Sequence, residues 1–416
     1  MLERLGLPDM TGHRRFITAM AVDAVGTGVF MPVSVLYFLA TTQLSLPRVG
    51  LALSMAAAVA VPAVLAVGHV VDTVGAKRVL IAANVIEALG FVGYLFAESY
   101  AAVQVVTILV ALGQAAFWSS YSPMVAAITR PGERELWFGF IGALRNVGFA
   151  AGGLLAGLAI SVGTTTAYRA MVLANIVSYV VGALLLLAIT AGRAPQRTGD
   201  EPHVGWGEVI RDRPYHLLVA SNLAYALCGI SLNLVMPVYA VEVLHLPGWV
   251  SGTIFTINTV LVGFGQSLAV RRMRGHIRWR IVGLGNVAFA ASFVMMALAG
   301  RLAVAPAVTV MLVAVGVYTA GEVLGGPVLT TIATDSRPEH VRGRYMSVYQ
   351  LSWNVASIIA PVTFSWLLAQ GSMPVWIVLV VVTALGTVLA RVMADHLPLA
   401  RSAVTNSADA GVAAQA

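Results

Sequence analysis

Residues 101–128 read AAVQVVTILVALGQAAFWSSYSPMVAAI, twenty-eight positions without one charged side chain. Crossing the hydrocarbon of a bilayer takes roughly 20 predominantly apolar residues in a helix, so this stretch reads as a membrane span. Arg130 and Arg134 follow it, whereas the gap before it, around Glu98, holds no Lys or Arg. Working outward, about twelve such spans begin near Phe16, Arg48, Val79, Ala101, Leu136, Arg169, Tyr215, Val250, Ile281, Val304, Tyr345 and Met373. Most of the 25 Lys and Arg residues fall in every second gap, with clusters such as Lys77 and Arg78, Arg193 to Arg213, Arg271 to Arg280 and Arg337 to Arg344. The opposite gaps hold only Arg48, Arg169 and Arg301, and Arg145 lies inside a span. Because basic loops stay on the cytoplasmic side, both termini and the long central loop are expected inside.

The bulk composition agrees. With 59% hydrophobic residues, 10% charged residues and a mean hydropathy of +0.86, there is too little polar surface to clothe soluble domains. A net charge of +7 raises the question of nucleic acid, but the cations sit in short juxtamembrane gaps rather than on one soluble face, so no nucleic-acid partner is expected. Cys228 is the single cysteine, which excludes an internal disulfide and a paired-cysteine metal site. No metal and no cofactor is expected. The first apolar run, after His13-Arg14-Arg15, is too long for a signal-peptide core and reads as the first span. Lys77 is the only lysine among these cations, in a chain rich in Ala, Gly and Val, a bias that points to a GC-rich bacterial host.

The chain repeats itself. Met31-Pro32-Val33 recurs as Met236-Pro237-Val238, and Leu44-Ser45-Leu46-Pro47 as Leu244-His245-Leu246-Pro247. Pro123 through Ile128 parallels Pro327 through Ile332, and Asn146-Val147 parallels Asn354-Val355. Each match has the same membrane depth and orientation, so the repeat is parallel, six spans and six. The expected organisation is a bundle over residues 1–191, a Pro- and Gly-rich cytoplasmic linker over 192–214, a second bundle over 215–395 and a disordered cytoplasmic tail over 396–416. Two similar bundles related by an axis along the membrane normal suit alternating access to a central site.

Between the second and third spans stands Gly68-His69-Val70-Val71-Asp72-Thr73-Val74-Gly75-Ala76-Lys77-Arg78. It resembles the signature loop of the major facilitator superfamily, and the twelve-span repeat extends that resemblance over nearly the whole chain. The fold it implies is an all-α integral membrane protein, twelve transmembrane helices in two six-helix pseudo-symmetric bundles, working as a monomer. The resemblance makes Gly68, Asp72, Gly75, Lys77 and Arg78 a gating loop, with the Asp72 carboxylate capping a neighbouring helix N-terminus and pairing with loop arginines. Thr73 and Ala76 depart from the family pattern, and as simple loop charges Asp72 and Lys77 would serve topology alone. The glycines of the fifth span, Gly148, Gly152, Gly153 and Gly157, resemble the fifth helix of the family's drug/proton antiporters, although the Gly-Pro pair common there is missing. Small residues at this spacing also let helices approach closely whatever the function. Ala111 stands where the family commonly has a fourth-helix Arg.

Four ionisable residues lie deep within spans: Asp23, Glu87, Arg145 and Glu322. Each costs about 2.5–3.5 kcal/mol on insertion scales, so inward-facing, partnered positions are the default. Burial disfavours an ionised carboxyl and a nearby guanidinium favours it, a contest suited to proton coupling. Asp23 is the leading candidate proton carrier, with Arg145 as its partner, because the first and fifth helices line the central cavity in the superfamily; Glu322 and Glu87 follow. Purely structural pairing is the alternative for all four. Phe117 and Tyr121, with Trp118 beside them, and Trp353, at the place Arg145 has in the first half, are candidate substrate-binding aromatics; packing or lipid contact is the other reading. No phosphate-cradling loop, zinc-binding His-Glu-x-x-His or nucleophile elbow is present, so an enzyme is not expected.

The expectation is a secondary active transporter in a bacterial cytoplasmic membrane, exporting small lipophilic compounds by exchange with protons. Uptake of a small metabolite by symport or facilitated diffusion stays open as an alternative, as does a receptor or scaffold that lost transport. The lipid bilayer, protons and a small-molecule substrate are the expected partners.

Overall fold

The computed structural model describes residues 10, 12–129, 134–189, 209, 211–337 and 342–404, and it is built from helices. In chain order these are α1 (Arg14–Phe30), α2 (Ser34–Thr41), α3 (Leu46–Val74), α4 (Ala76–Tyr94), α5 (Tyr100–Ile128), α6 (Arg134–Val162) and α7 (Thr165–Leu187). There follow α8 (Arg213–Val238), continued by a π-helical turn over Tyr239–Val243, then α9 (Trp249–Arg272), α10 (Arg278–Ala299), α11 (Val304–Asp335), α12 (Arg342–Ala369), α13 (Ser372–His396) and the single turn α14 (Pro398–Arg401).

Among the described residues nine helices are long and apolar enough to cross a membrane, ten when α1 and α2 count as one span bent by 51°. The remaining two of the twelve rods are less apolar for visible reasons. Lys77, Arg78 and Glu87 charge α4, and the hydroxyl and amide groups of Ser251, Thr253, Thr256, Asn258 and Thr259 dilute α9. The repeated Met-Pro-Val triplets sit at matching discontinuities. One lies in the α1–α2 bend, and the other ends α8 at the π turn, since proline removes a ladder donor and obstructs the preceding turn.

By backbone contacts the chain divides into two compact units, one of residues Met1–Thr198 with Met236–Thr259 and Pro361–Trp366, the other of Gly199–Val235, Val260–Ala360 and Leu367–Ala416. Most of the expected 192–214 linker lies outside the described residues. In the first unit α1 packs on α6 and α7, α5 on α3 and α4, and α4 on α7. Buried aromatics weld the ends of α1, α2 and α4: Phe30 lies edge-on to Phe91 at 4.7 Å, and the Tyr37 hydroxyl donates to the Tyr94 carbonyl at 2.8 Å. In the second unit α10 packs on α11 and α13, around Phe289, Phe293, Tyr318 and Trp376. Each unit carries exposed apolar residues, Phe96 and Leu158 on one and Phe264 and Leu385 on the other, the side chains that lipid covers.

The first part of the expected tail, through Val404, lies among the described residues. Ala403 and Val404 pair with Ile277 and Arg274, and the Arg278 guanidinium donates to the Ser402 hydroxyl and to the Ala403 carbonyl, the latter at 2.7 Å. Charge-assisted donors that satisfy the chain's own carbonyls hold this segment in place. The residues from 405 onward lie outside the described set.

Candidate functional site

The site begins with glycines. A Cβ at Gly148 would stand 2.7 Å from the Ala24 Cβ, and one at Gly152 would stand 2.4 Å from the Val25 carbonyl oxygen and 2.5 Å from the Val29 nitrogen. From the other side, a Cβ at Gly28 would meet the Phe149 backbone at 2.7 Å. Two helices lacking side chains at these points approach to backbone contact, and α1 and α6 are thereby fixed in register. Gly153 and Gly157 use the opposite edge of α6 against Phe255 and Gly252 of α9, all within the first unit.

That register brings Asp23 to Arg145. Arg145 Nη1 donates to Asp23 Oδ2 at 2.6 Å, with both residues buried. Three aromatic rings surround the guanidinium: Phe117 at 5.2 Å, Trp118 at 5.1 Å and Phe149 at 5.2 Å from their centroids, each within cation–π range. Phe117 is in turn stacked on Tyr121 at 6.2 Å, and both belong to the buried core around Met20, Leu80, Met124 and Trp137.

Glu87 joins the same cluster. It is buried on α4, its Cγ lying where a Gly113 Cβ would come within 2.5 Å, and it feels the charges of both Asp23 and Arg145. Tyr179 on α7 interacts electrostatically with both carboxylates and reaches Thr27 and Asn175 by side-chain hydrogen bonding. A Cβ at Gly26 would collide with Ser178 and Asn175, so α1 also meets α7 closely here. The Asn84 Oδ1 and Asn175 Nδ2 atoms are buried without a hydrogen-bond partner. The third-span carboxylate is therefore an interior residue of the first unit, next to the first.

Glu322 and Trp353 belong to the second unit. Glu322 is half-buried, and its backbone carbonyl accepts from the Tyr225 hydroxyl at 3.0 Å. Trp353 lies edge-on to Tyr225 at 6.0 Å, against Gly229. Nearby, the Tyr349 hydroxyl donates to Asn222 Oδ1 at 2.8 Å, and the Asn222 amide donates to Ser352 Oγ.

In the loop between α3 and α4, Gly75 has φ +99, a conformation that glycine adopts without strain and that allows α4 to start directly after α3. Gly68 meets no atom within 4 Å of its Cβ position, and Arg78 is exposed. The Asp72 side chain is outside the described set, so its expected capping role has no counterpart here. The cations do the capping that the structure displays. Lys77 Nζ donates to the carbonyls of Leu187, at 3.1 Å, and Ile189, and Arg15 Nη1 to that of Ala188 at 2.5 Å. These carbonyls at the end of α7 have no further helical turn to accept from, and cations suit that negative pole.

The sequence reading passed over Phe149, Tyr179, Asn175 and Tyr225. Phe149 stands four residues from Arg145 on the same helix face, and Asn175, Ser178 and Tyr179 form a polar patch in an otherwise apolar span; both signals were available in the spacing.

The chain matches the Major Facilitator Superfamily over residues 16–361. It belongs to that superfamily. It is thus a secondary transporter and not an enzyme. Among its superfamily relatives in Bacillus subtilis (strain 168), the MFS-type transporter YttB is 22% identical over 353 residues, 83% of this chain and 85% of that protein. YhjO of the same organism is 22% identical over 298 residues, 71% of each. The multidrug resistance protein MdtH of Aeromonas salmonicida (strain A449) is 24% identical over 298 residues, 68% of this chain and 69% of that one. The fold is that of solved superfamily structures. The nucleoside transporter NupG superposes with a TM-score of 0.71 at 12% identity, over 92% of this chain and 98% of that one. A bacterial homologue of the iron transporter ferroportin, in an inward-facing state, gives 0.73 at 16%, over 93% and 99%.

Proposed function

We propose that this transporter exports small lipophilic compounds across a bacterial cytoplasmic membrane in exchange for protons. The observation that carries the reading is the buried Asp23–Arg145 pair, a carboxylate and a guanidinium held 2.6 Å apart inside the α1–α6 seam. Proton uptake by Asp23 removes its charge, frees Arg145 and favours reclosure around the emptied site, and release of the proton reverses this. Ionisable groups inside a membrane are costly unless they serve such a pathway. The guanidinium then shifts its weight onto Phe117, Trp118 and Phe149. Glu322 and Glu87 are the accessory carboxylates. Phe117, Tyr121 and Trp353 offer flat apolar faces to a lipophilic guest, and the similarity to a protein named for multidrug resistance favours export over uptake.

In this reading the chain acts as a monomer with both termini in the cytoplasm. Two six-helix bundles, 1–191 and 215–395, rock about the 192–214 linker, and the loop of Gly68, Asp72, Gly75, Lys77 and Arg78 gates the cytoplasmic side. Efflux of a fluorescent lipophilic dye from vesicles, driven by an imposed proton gradient, tests the mechanism. Asp23→Asn is expected to abolish the dependence on the gradient, and unchanged coupling in that variant removes Asp23 from the mechanism.

A further inference from the structure

We propose that Asp23 and Glu87 share one exchangeable proton and one guanidinium, and that the resting protein keeps the proton on Glu87. The inference deepens the proton-exchange reading and rests on it for its role in transport; the protonation state itself is testable without any transport.

The first unit buries three ionisable groups together. Asp23, Glu87 and Arg145 are exposed by only 3%, 2% and 6%. Two carboxylates and one guanidinium, all ionised, leave a net negative charge in an apolar interior, which is the arrangement that interiors avoid. Arg145 already bonds Asp23. Glu87 has no hydrogen-bond or ion-pair partner among the described residues. Facing it are Asp23 from α1, Arg145 from α6, Tyr179 from α7 and Tyr94 from its own helix, while α5 meets it with Gly113. No second cation is among them.

A proton on Glu87 resolves the charge deficit. It cancels the surplus charge, and it turns the carboxyl into a donor. The site thus has two neutral arrangements: protonated Glu87 with ionised Asp23 on Arg145, or protonated Asp23 with ionised Glu87 on Arg145. Moving one proton from the Glu87 carboxyl to the Asp23 carboxylate, while the guanidinium changes partner, converts one into the other with no net charge left uncompensated. Coupled to transport, proton uptake at Asp23 is matched by release from Glu87, so the site stays neutral and one proton moves per cycle.

Infrared difference spectroscopy on the full-length protein in lipid nanodiscs at neutral pH reads this directly. Wild type minus Glu87→Gln is expected to show the carbonyl stretch of a protonated carboxylic acid. Wild type minus Asp23→Glu should show only shifted carboxylate bands. Glutamine copies neutral glutamic acid in shape, so Glu87→Gln is expected to fold and to melt at the wild-type temperature. Arg145→Gln removes the cation, and a second carboxylic-acid band is then expected from Asp23. Absence of the acid band in the first difference overturns the proposal, and so does failure of Glu87→Gln to fold. If the acid band maps to Glu87 but dye efflux ignores the proton gradient, the antiport reading fails while this assignment stands.

Discussion

Substituting Gly152 by alanine tests whether the glycine seam sets the site. The added Cβ would stand 2.4 Å from the Val25 carbonyl oxygen, 2.5 Å from the Val29 nitrogen and 2.6 Å from the Gly28 carbonyl carbon, where ordinary contact begins at 3.4 Å. All three are backbone atoms, so no side chain can rotate aside and the helices must retreat by about 1 Å, the shortfall from normal packing distance. Two turns away along α6, a similar retreat lengthens the 2.6 Å Arg145–Asp23 contact to about 3.6 Å, beyond hydrogen-bond range. Overpacking costs about 1–3 kcal/mol, against which alanine gains roughly 0.5–1 kcal/mol of helix stability over glycine. The net loss is expected to be on the order of 1–2 kcal/mol. At about 2–4 °C per kcal/mol for a unit of roughly 200 residues, the melting midpoint of the purified protein, followed by tryptophan fluorescence, falls by several degrees. Gly142→Ala on the same helix meets nothing within 4 Å and is expected to be neutral or stabilising. If Gly152→Ala melts with Gly142→Ala and keeps full proton coupling, the seam does not hold the pair and the reasoning is wrong.

Replacing Lys77 by methionine removes the donor to the Leu187 and Ile189 carbonyls. A loss of roughly 1 kcal/mol is expected for this partly exposed contact, seen as faster amide hydrogen exchange confined to the last turn of α7. Arg278→Ala removes the donor to Ser402 and Ala403. The amides of Gly275 and Val404, which bond to Val404 and His276 carbonyls, are expected to lose protection while α10 keeps its own; retained protection at both would show that the bridges hold the tail unaided.

The sequence carried the helical architecture because a span is a local property: a run of apolar residues and a cation at one end are readable without knowing any neighbour. The Met-Pro-Val repeats, used there only as a sign of duplication, also fall at matching interruptions, proline acting on its own helix. The cost of each buried charge makes a partner the expectation, and the resemblance to the superfamily, whose first and fifth helices line the central cavity, is what pairs Asp23 with Arg145. The position of that contact was invisible until Gly28, Gly148 and Gly152 set how far α1 slides against α6. Partners across helices depend on that register, which explains why Phe149 and Tyr179 escaped notice and why Glu87 was ranked last although it lies beside the pair. In the loop after α3 the family pattern points to the carboxylate of Asp72, which lies outside the described side chains, while the contacts of Lys77 and Arg15 reach a helix end more than a hundred residues away in sequence, which no local pattern signals.

Arginine rather than lysine at position 145 follows from what the site must tolerate. Breaking a buried ion pair by removing one charge costs about 3–5 kcal/mol, because the other is left uncompensated; a switch built on such a step would stay locked. A guanidinium is planar and bonds carboxylates at its edge while stacking on rings with its face. Arg145 uses both at once, its edge on Asp23 and its surroundings formed by Phe117, Trp118 and Phe149. Each ring contributes about 0.5–2 kcal/mol whatever the charge on Asp23, so three together offset much of the loss when that carboxylate is neutralised. In the proposed exchange Glu87 supplies the second anion for the freed cation. Both arrangements then keep the cation on one carboxylate, and a proton gradient acts through uptake at Asp23 matched by release from Glu87 rather than on the internal transfer between them.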